Sequence, residues 1–489
     1  MNWLRTPSIA SDPQGRLLQG SKDLNTEITS VNQVLQDQFG NLTEKSVTPT
    51  PSALGTDCLK IIVDNNLKGD FAREGAAVLT EEEYNNIQLI RDERVLVSEM
   101  TRHLEEVFAG FAVVNSEMYP WLFAGVNRGL QKPDLFVCPV PYYKKKGVPE
   151  NVEVELNGSN NRYGVIDHQE LYDSVIPIGA KLLCTPAAFG ELCIHLEHLG
   201  NKLSTPTSGM VFGRTEFWLY EQSKGDPIRF LSGEWREHGT VQAIQIFFDD
   251  TLQNFRKVDI LCQALNVAPL DPRTFGSFGT GFLGNGAFGL VVRVIPRSTS
   301  SRPREQHLAA LKFVQHTNDN LTQLKSEFRV LEHHSNYCNC TLIANPISEF
   351  AEVPGLCGFV LQPVGNATCT RRMIFKLKKP SLLEVLQALR SLHTHAPPLF
   401  HGDPRLPNLI LTVDGQLTWI DLIRRASLYE ITRLEFALDM HILVKSLIPT
   451  IFNSNNVVEL QNLIISYGQK LSFDSIVEIE CFLKQHMLF

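Results

Sequence analysis

Three side chains able to take a proton or hold a hard cation lie close together near the C-terminal end of this sequence. Asp403 and Asn408 stand in His401-Gly402-Asp403-Pro404-Arg405-Leu406-Pro407-Asn408, and Asp421 follows thirteen residues later in Trp419-Ile420-Asp421-Leu422. A carboxylate at 403 is suited to accept a hydroxyl proton, and Arg405 beside it joins it as a candidate catalytic residue. The oxygens of Asn408 and Asp421 are the ligand type that Mg2+ prefers. Upstream, Leu283-Gly284-Asn285-Gly286-Ala287-Phe288-Gly289-Leu290-Val291 spaces three glycines as GxGxxG. Without Cβ atoms such a turn brings backbone N–H groups close to phosphate oxygens. A strand, not a helix, is expected after it, and no acidic ribose partner closes a βαβ unit. Both points argue against a dinucleotide fold. Between these motifs, Ala310-Leu311-Lys312-Phe313-Val314 places one lysine in an apolar strand. Such a lysine must snorkel to water or meet an anion. Glu327, fifteen residues on, and Glu332 are its alternative partners.

Taken in order, these motifs resemble the protein-kinase superfamily over residues 276–489, with matches at Gly284, Gly286, Gly289, Val291, Lys312, Glu327, His401, Asp403, Asn408 and Asp421. The resemblance implies a bilobal fold with ATP and Mg2+ in the cleft between lobes. It also implies a hinge at Leu361-Gln362-Pro363-Val364-Gly365, which makes Leu361 and Gln362 cofactor-binding candidates beside Val291, the residue over the adenine. Lys312 would meet the nucleotide phosphates, Asp403 the acceptor, and Asn408 and Asp421 the metal. Some positions depart from the family. Gly402 replaces a common Arg, Leu422-Ile423 replaces Phe-Gly, and only eighteen residues separate Asp421 from Asp439, with no Ala-Pro-Glu after them. Asp439 reads either as a brace for the loop or as an ordinary exposed aspartate. A short segment after HGD is similar to aminoglycoside and choline kinases. The acceptor is therefore a protein Ser/Thr hydroxyl or, alternatively, a small molecule. A pseudokinase scaffold is a third reading, against which the retained Lys312, Asp403, Asn408 and Asp421 argue.

These residues need elements to hold them. Strands are expected at 289–295, 309–314 and 358–363, helices at 381–394 and 434–447, and a Gly/Pro-rich linker over 264–280. Further upstream the pattern predicts a helix from Glu81 to about Val114. β-like runs follow at Leu135–Val140, Leu192–Leu196, Phe217–Tyr220 and Val241–Phe248, with a polar insertion between Tyr142 and Asn161. Lys132-Pro133-Asp134-Leu135-Phe136 and Phe189-Gly190-Glu191-Leu192-Cys193 resemble the PD-(D/E)xK nuclease core. That resemblance implies Asp134 and Glu191 as Mg2+ ligands at the ends of paired strands, Glu99 as a further acid, and nucleic acid as the partner. Cys193 then stands where the family has lysine, and Lys202 is the substitute considered. The whole arrangement resembles Crinkler-type effectors that join a restriction-endonuclease-like domain to a kinase. The expected fold class is multidomain α+β or α/β. It comprises a tail over 1–55, a restriction-endonuclease-like α/β domain over 56–265 and a bilobal protein-kinase-like domain over 266–489.

Composition agrees with globular domains: 43% of residues are hydrophobic and 20% charged, with a net charge of -8 that gives no whole-chain nucleic-acid signature. Ten cysteines lie at long spacings, and no run is apolar enough for a signal peptide or a membrane span. The expectation is a soluble intracellular protein with reduced thiols. The resemblance adds secretion and a host nucleus, although no LxLFLAK-type header is present. His333-His334 with Cys338 and Cys340 match no zinc spacing. Arg371-Arg372 with Lys376, Lys378 and Lys379, and separately Lys144–Lys146, read as solvated basic faces, import signals or nucleic-acid patches.

Overall fold

The computed structural model describes residues 75–123, 130–146, 163–202, 207–222, 229–273, 281–286, 289–297, 308–338, 342–396, 398–412, 414–422, 432–448 and 454–486. The tail expected over 1–55 lies outside them.

The first helix, α1 (Glu81–Gln88), starts at a capping box in which the Thr80 hydroxyl accepts from the Glu83 N–H and Glu83 reaches back to the Thr80 N–H. Asp92 caps α2 (Glu93–Val107) by accepting the Arg94 N–H with its side chain. This second cap breaks the single helix expected from Glu81 to Val114, and the last residues of that stretch form strand β1 (Ala112–Asn115) instead. Then come β2 (Leu135–Cys138), β3 (Ile176–Ala180), α3 (Pro186–Lys202), β4 (Thr207–Phe212), β5 (Glu216–Gln222) and β6 (Arg229–Glu234), followed by α4 (Thr240–Phe247) and α5 (Asp249–Ala264). The six strands form one sheet in sequence order. Only β3 and β4 run parallel, joined through α3, and every other pair is antiparallel.

Two expected strands are helices. In Leu192–Leu196 the buried residues Phe189, Leu192, Cys193, Leu196 and Leu199 recur at helical spacing, and the run lies inside α3. Val241–Phe248 falls in α4 and its C-cap, Phe248.

The sheet is buried on both faces by alternation. Val113, Leu135, Val137, Ile176, Ile178, Met210 and Phe212 join the core formed with α1, α2 and α4. Ala112, Val114, Phe136, Cys138, Val211 and Tyr220 join the core that includes α3.

A second sheet follows, built from β7 (Val267–Pro269), β8 (Phe282–Gly286), β9 (Gly289–Pro296), β10 (Ala309–Gln315), then, after α6 (Asn318–Cys338), β11 (Asn345–Pro346), β12 (Ala351–Val353) and β13 (Leu356–Gln362). Its path is β7-β9-β10-β13-β11, with β8 on β9 and β12 on β13. The remaining elements are β14 (Gly365–Thr368), α7 (Leu382–His393), β15 (Leu409–Thr412), β16 (Leu417–Trp419), α8 (Arg433–Leu447), α9 (Ser454–Lys470) and α10 (Phe473–His486). The strands β14-β15-β16 form a small sheet beside these helices. One core runs from Ala310, Val314, Phe359 and Leu361 through Leu324, Phe328 and Leu331 of α6 into α7, α8, α9 and α10.

The other face of this second sheet is not a surface. Leu311, Phe313, Val292 and Val360 belong to the same core as Phe136, Phe189 and Leu192 of the upstream half, with Val258, Leu261 and Cys262 of α5 between them. Strand β10 is apolar at both parities because both its faces are covered. The boundary expected at 265/266 therefore marks no gap in packing, and both sides belong to one compact unit from Pro51 to Phe489. Gly281, at the foot of β8, sits so close to the upstream turn that a Cβ there would meet the Pro141 carbonyl oxygen at 2.3 Å. The protein is thus mixed α+β with several sheets. Among the described residues, no helix is long and apolar enough to cross a membrane.

Candidate functional site

Strand register sets one wall of the expected cleft. Val291 lies opposite Lys312, and Ala310 opposite Leu361, so all four share a sheet face. Lys312 is 3% exposed; its Nζ lies 2.8 and 2.9 Å from the two Glu327 carboxylate oxygens and 2.5 Å from Asp421 Oδ1. Burial works against the ammonium, but Glu327 and Asp421 outweigh it and hold its pKa above the ordinary lysine value. Burial pushes the Glu327 carboxyl up; Lys312 opposes this and Asp421 adds to it. Glu332 is exposed, so the choice between the two glutamates falls to Glu327. Two carboxylates against one ammonium leave an excess of negative charge at the floor of the cleft, which favours a cation there.

Of the expected nucleotide loop, Gly284 has φ +150° with open space where a Cβ would stand, while a Cβ on Gly289 would meet the Phe313 carbonyl oxygen at 2.4 Å. Gly286 pairs with Gly289 across the hairpin, and Ala287 and Phe288 at its tip lie outside the described residues. At the expected hinge Leu361 is buried, and the Gln362 side-chain amide donates to the Leu308 carbonyl at 3.0 Å.

The opposite wall hangs from Asp439, which is fully buried in α8. Its Oδ2 accepts from the His401 N–H at 2.8 Å and its Oδ1 from the Gly402 N–H at 2.9 Å. Of the two readings of Asp439, the structure thus selects the brace. His393 Nε2 adds a third contact at 3.1 Å, while its Nδ1 meets the Tyr467 hydroxyl at 2.8 Å. Burial holds His393 below the ordinary histidine pKa, against Asp439. With the carboxylate as acceptor, the neutral ring carries its proton on Nε2. Gly402 has φ +85°, a left-handed turn that costs an L side chain about 1 kcal/mol or more. The glycine that replaces a common arginine is the residue this turn favours.

Within the loop, Asp403 N–H donates to His401 Nδ1 at 3.2 Å, and burial lowers the His401 pKa so that this nitrogen stays an acceptor. Asn408 Nδ2 donates to the Asp403 carbonyl at 2.8 Å and to its Oδ2 at 3.1 Å, which turns the amide oxygen away for another ligand. Arg405 grips both Asp403 oxygens, at 2.6 and 2.5 Å, from an exposed position. An acceptor hydroxyl approaching Asp403 must share or displace this guanidinium. Asp421 follows β16 with φ +57°, an uncommon conformation for a non-glycine residue that turns its carboxylate back to Lys312. Among the described residues no three His, Cys, Asp or Glu converge as a ready metal cage. Magnesium needs no such cage, since it keeps waters and shares phosphate oxygens, and Asn408 and Asp421 are the side chains that would offer it protein oxygens.

A second polar cluster lies at the edge of the first sheet. Asp134, just before β2, accepts from the Ala180 N–H at 2.8 Å, and burial raises its pKa despite that bond and the nearby Lys181. Lys181, the residue after β3, stands 3.2 Å from both Glu93 and Glu191. Glu117, also buried, has its pKa raised by burial and by Asp134. Three expectations are corrected here. Glu191 is on helix α3, not at the end of a strand. Glu99 is exposed on α2, and the acid of that helix that meets Lys181 is Glu93, in its first turn. Cys193 is buried in the core, and the ammonium near Asp134 is that of Lys181, just past the strand paired with β2. Its signal was the end of the apolar run Ile176-Pro177-Ile178-Gly179-Ala180-Lys181. Lys202 ends α3, and its side chain lies outside the described residues. No family model matches the chain, and no curated protein matches it.

Proposed function

We propose that the cleft between β8–β10 and the 401–408 loop is a phosphotransfer centre that uses ATP and Mg2+ on a hydroxyl acceptor, first of all a protein serine or threonine. The single observation that carries this is Lys312. From the sheet wall it reaches both Glu327 and Asp421, and so joins the two halves of the cleft through one buried ammonium. When bound, magnesium would neutralise phosphate charge between Asn408 and Asp421. Asp403 takes the acceptor's proton as its oxygen bonds to the γ-phosphorus and the bond to the leaving ADP oxygen breaks; Lys312 holds the phosphates in line. Arg405, released from Asp403, is placed to meet charge on the transferred group. The chain's two centres together fit a Crinkler-type effector, whose action in a host nucleus rests on that resemblance alone.

Purified full-length protein with γ-labelled ATP and Mg2+ should label itself or an added protein acceptor. Asp403→Ala should cut transfer by about 10³-fold with an unchanged circular-dichroism spectrum. Label moving only to an aminoglycoside or choline would select the small-molecule alternative. Nucleotide binding without any transfer would select the scaffold.

The Asp134 cluster favours a second reading: metal-dependent cleavage of phosphodiesters at the edge of the first sheet. Asp134 and Glu93 would hold a Mg2+ or Mn2+ ion and Lys181 would stand by the attacked phosphate. In a plasmid-cleavage assay of the full chain, Asp134→Ala and Lys181→Ala should each lower the rate by about a hundredfold or more. Cys193→Lys should bring no gain, since a lysine there points into the core. Cleavage that survives Lys181→Ala would remove Lys181 from this role.

A further inference from the structure

The segment that follows β14 carries five cations in nine residues, Arg371-Arg372-Met373-Ile374-Phe375-Lys376-Leu377-Lys378-Lys379, in a chain whose net charge is -8. We propose that it is the docking surface for an acidic polypeptide segment of the phosphoacceptor, which rests on the phosphotransfer reading above.

Position carries the first part of this. Strand β14 pairs with β15, and the Cys369 N–H donates to the Leu409 carbonyl at 2.7 Å, one residue beyond Asn408. The basic segment begins two residues later. It is tied a second time through Ser446: Arg371 Nε donates to the Ser446 carbonyl at 2.9 Å, and the Leu406 N–H donates to the Ser446 hydroxyl at 3.2 Å. The backbone that bears the cations is therefore anchored beside the loop with Asp403 and Asn408.

Conformation carries the second. Residues Met373–Leu377 form a wide π-type turn, held by buried Ile374, with Phe375 packed against the core. The turn closes at Lys378 in a left-handed conformation, φ +53°. All five cations are exposed, and Leu377 is 60% exposed among them. Arg372, Lys376, Lys378 and Lys379 have no carboxylate partner among the described residues. The next carboxylate in sequence, Glu384, is taken up by its own helix cap. Unpaired cations at fixed spacing around an apolar residue suit an extended chain of Glu and Asp carrying one apolar side chain. Such a surface steers encounter and sets acceptor choice more than it adds tight affinity.

The test uses full-length protein and the triple variant Arg372→Glu, Lys376→Glu, Lys378→Glu, which leaves Arg371 and its Ser446 bond intact. Fluorescence anisotropy of a labelled Glu/Asp-rich peptide with one serine is compared with a neutral peptide of the same length and with a single-stranded oligonucleotide. Wild type should prefer the acidic peptide, lose it at high salt, and the variant should bind it about thirtyfold or more weakly. This binding is read without any phosphotransfer, so an inactive cleft leaves the inference standing or falling by itself. Where transfer is seen, the variant should keep its KM for ATP and raise its KM for the acidic peptide. Equal peptide binding by the variant would overturn the proposal. Preference for the oligonucleotide over the peptide would do so as well, and would make this a nucleic-acid surface.

Discussion

Lys312→Met is expected to lower phosphotransfer by about three to four orders of magnitude in a protein that still folds. Among the described residues the ammonium alone is bonded to both Glu327 on α6 and Asp421 after β16, so on the phosphotransfer reading its loss would remove charge facing the phosphates and untie the two walls together. Removing one member of a buried ion pair costs about 3–5 kcal/mol when the other stays charged. Methionine limits that cost in two ways. It refills the apolar volume of a nearly solvent-free site, and Glu327, already pushed above the ordinary carboxylate value by burial, rises further and takes a proton.

The sign of the pH dependence follows. In the wild type Lys312 has a raised pKa, so its contribution is complete below the unfolded lysine value and is lost only as pH rises through the folded one. In the variant that alkaline dependence is gone. Glu327, its native pKa raised, then holds protons in the native state over a pH range in which the unfolded chain has released them. Stability should rise as pH falls through the native Glu327 pKa, towards the unfolded value. Thermal melts of both proteins from mildly alkaline to mildly acidic pH should show Lys312→Met gaining on the wild type. Wild-type turnover in the folded variant would end the phosphotransfer reading.

Part of this site could be read along the chain because its spacing is local. Asp403, Asn408 and Asp421 lie on one loop and the strands next to it, and the single lysine in an apolar strand announced a buried anion. Asp439 was harder. Its work is to accept backbone N–H groups of His401 and Gly402, and nothing in Leu438-Asp439-Met440 distinguishes that from solvation. Lys181 was missed for a different reason. It comes near Asp134 only because β2 and β3 pair antiparallel across a long insertion, and no spacing rule joins residues that tertiary pairing brings together. In α3, Leu192-Cys193-Ile194-His195-Leu196 is short and apolar enough to read as a strand. Only the wider spacing of Phe189 and Leu199 shows the helix. The Gly/Pro-rich stretch over 264–280 has the composition of a linker, yet Val267 and Leu270 within it are buried. Composition reports local conformation and not what packs above it.

That packing gives the largest expected effect on stability. Separating the chain between Leu265 and Asn266 should leave neither piece cooperatively folded. Leu265 and Val267 flank the cut and share one core with Phe136, Phe189, Val258 and Leu261 on one side and Val292, Leu311, Phe313 and Val360 on the other. Each such side chain returned to water costs about 1.5–3 kcal/mol, whereas a whole domain is stable by only about 5–15 kcal/mol. Four or five exposed at once cost as much as that whole margin for either piece. Intact protein should melt in a single transition. Residues 75–265 and 266–489 made separately should bind a hydrophobic dye, aggregate and show no cooperative melt, while co-expression should recover a soluble pair. A monomeric 266–489 piece with a sharp melt and full phosphotransfer would show that the shared core is dispensable. The expected outcome has a consequence for function. Gly281, at the foot of the glycine hairpin, is pressed against Pro141, and the strand that carries Lys312 has its other face on the upstream core. The first sheet therefore belongs to the scaffold that holds the glycine hairpin and the lysine in place. Substitutions that loosen it, such as Phe136→Ala, should weaken ATP binding as well as lower the melting temperature.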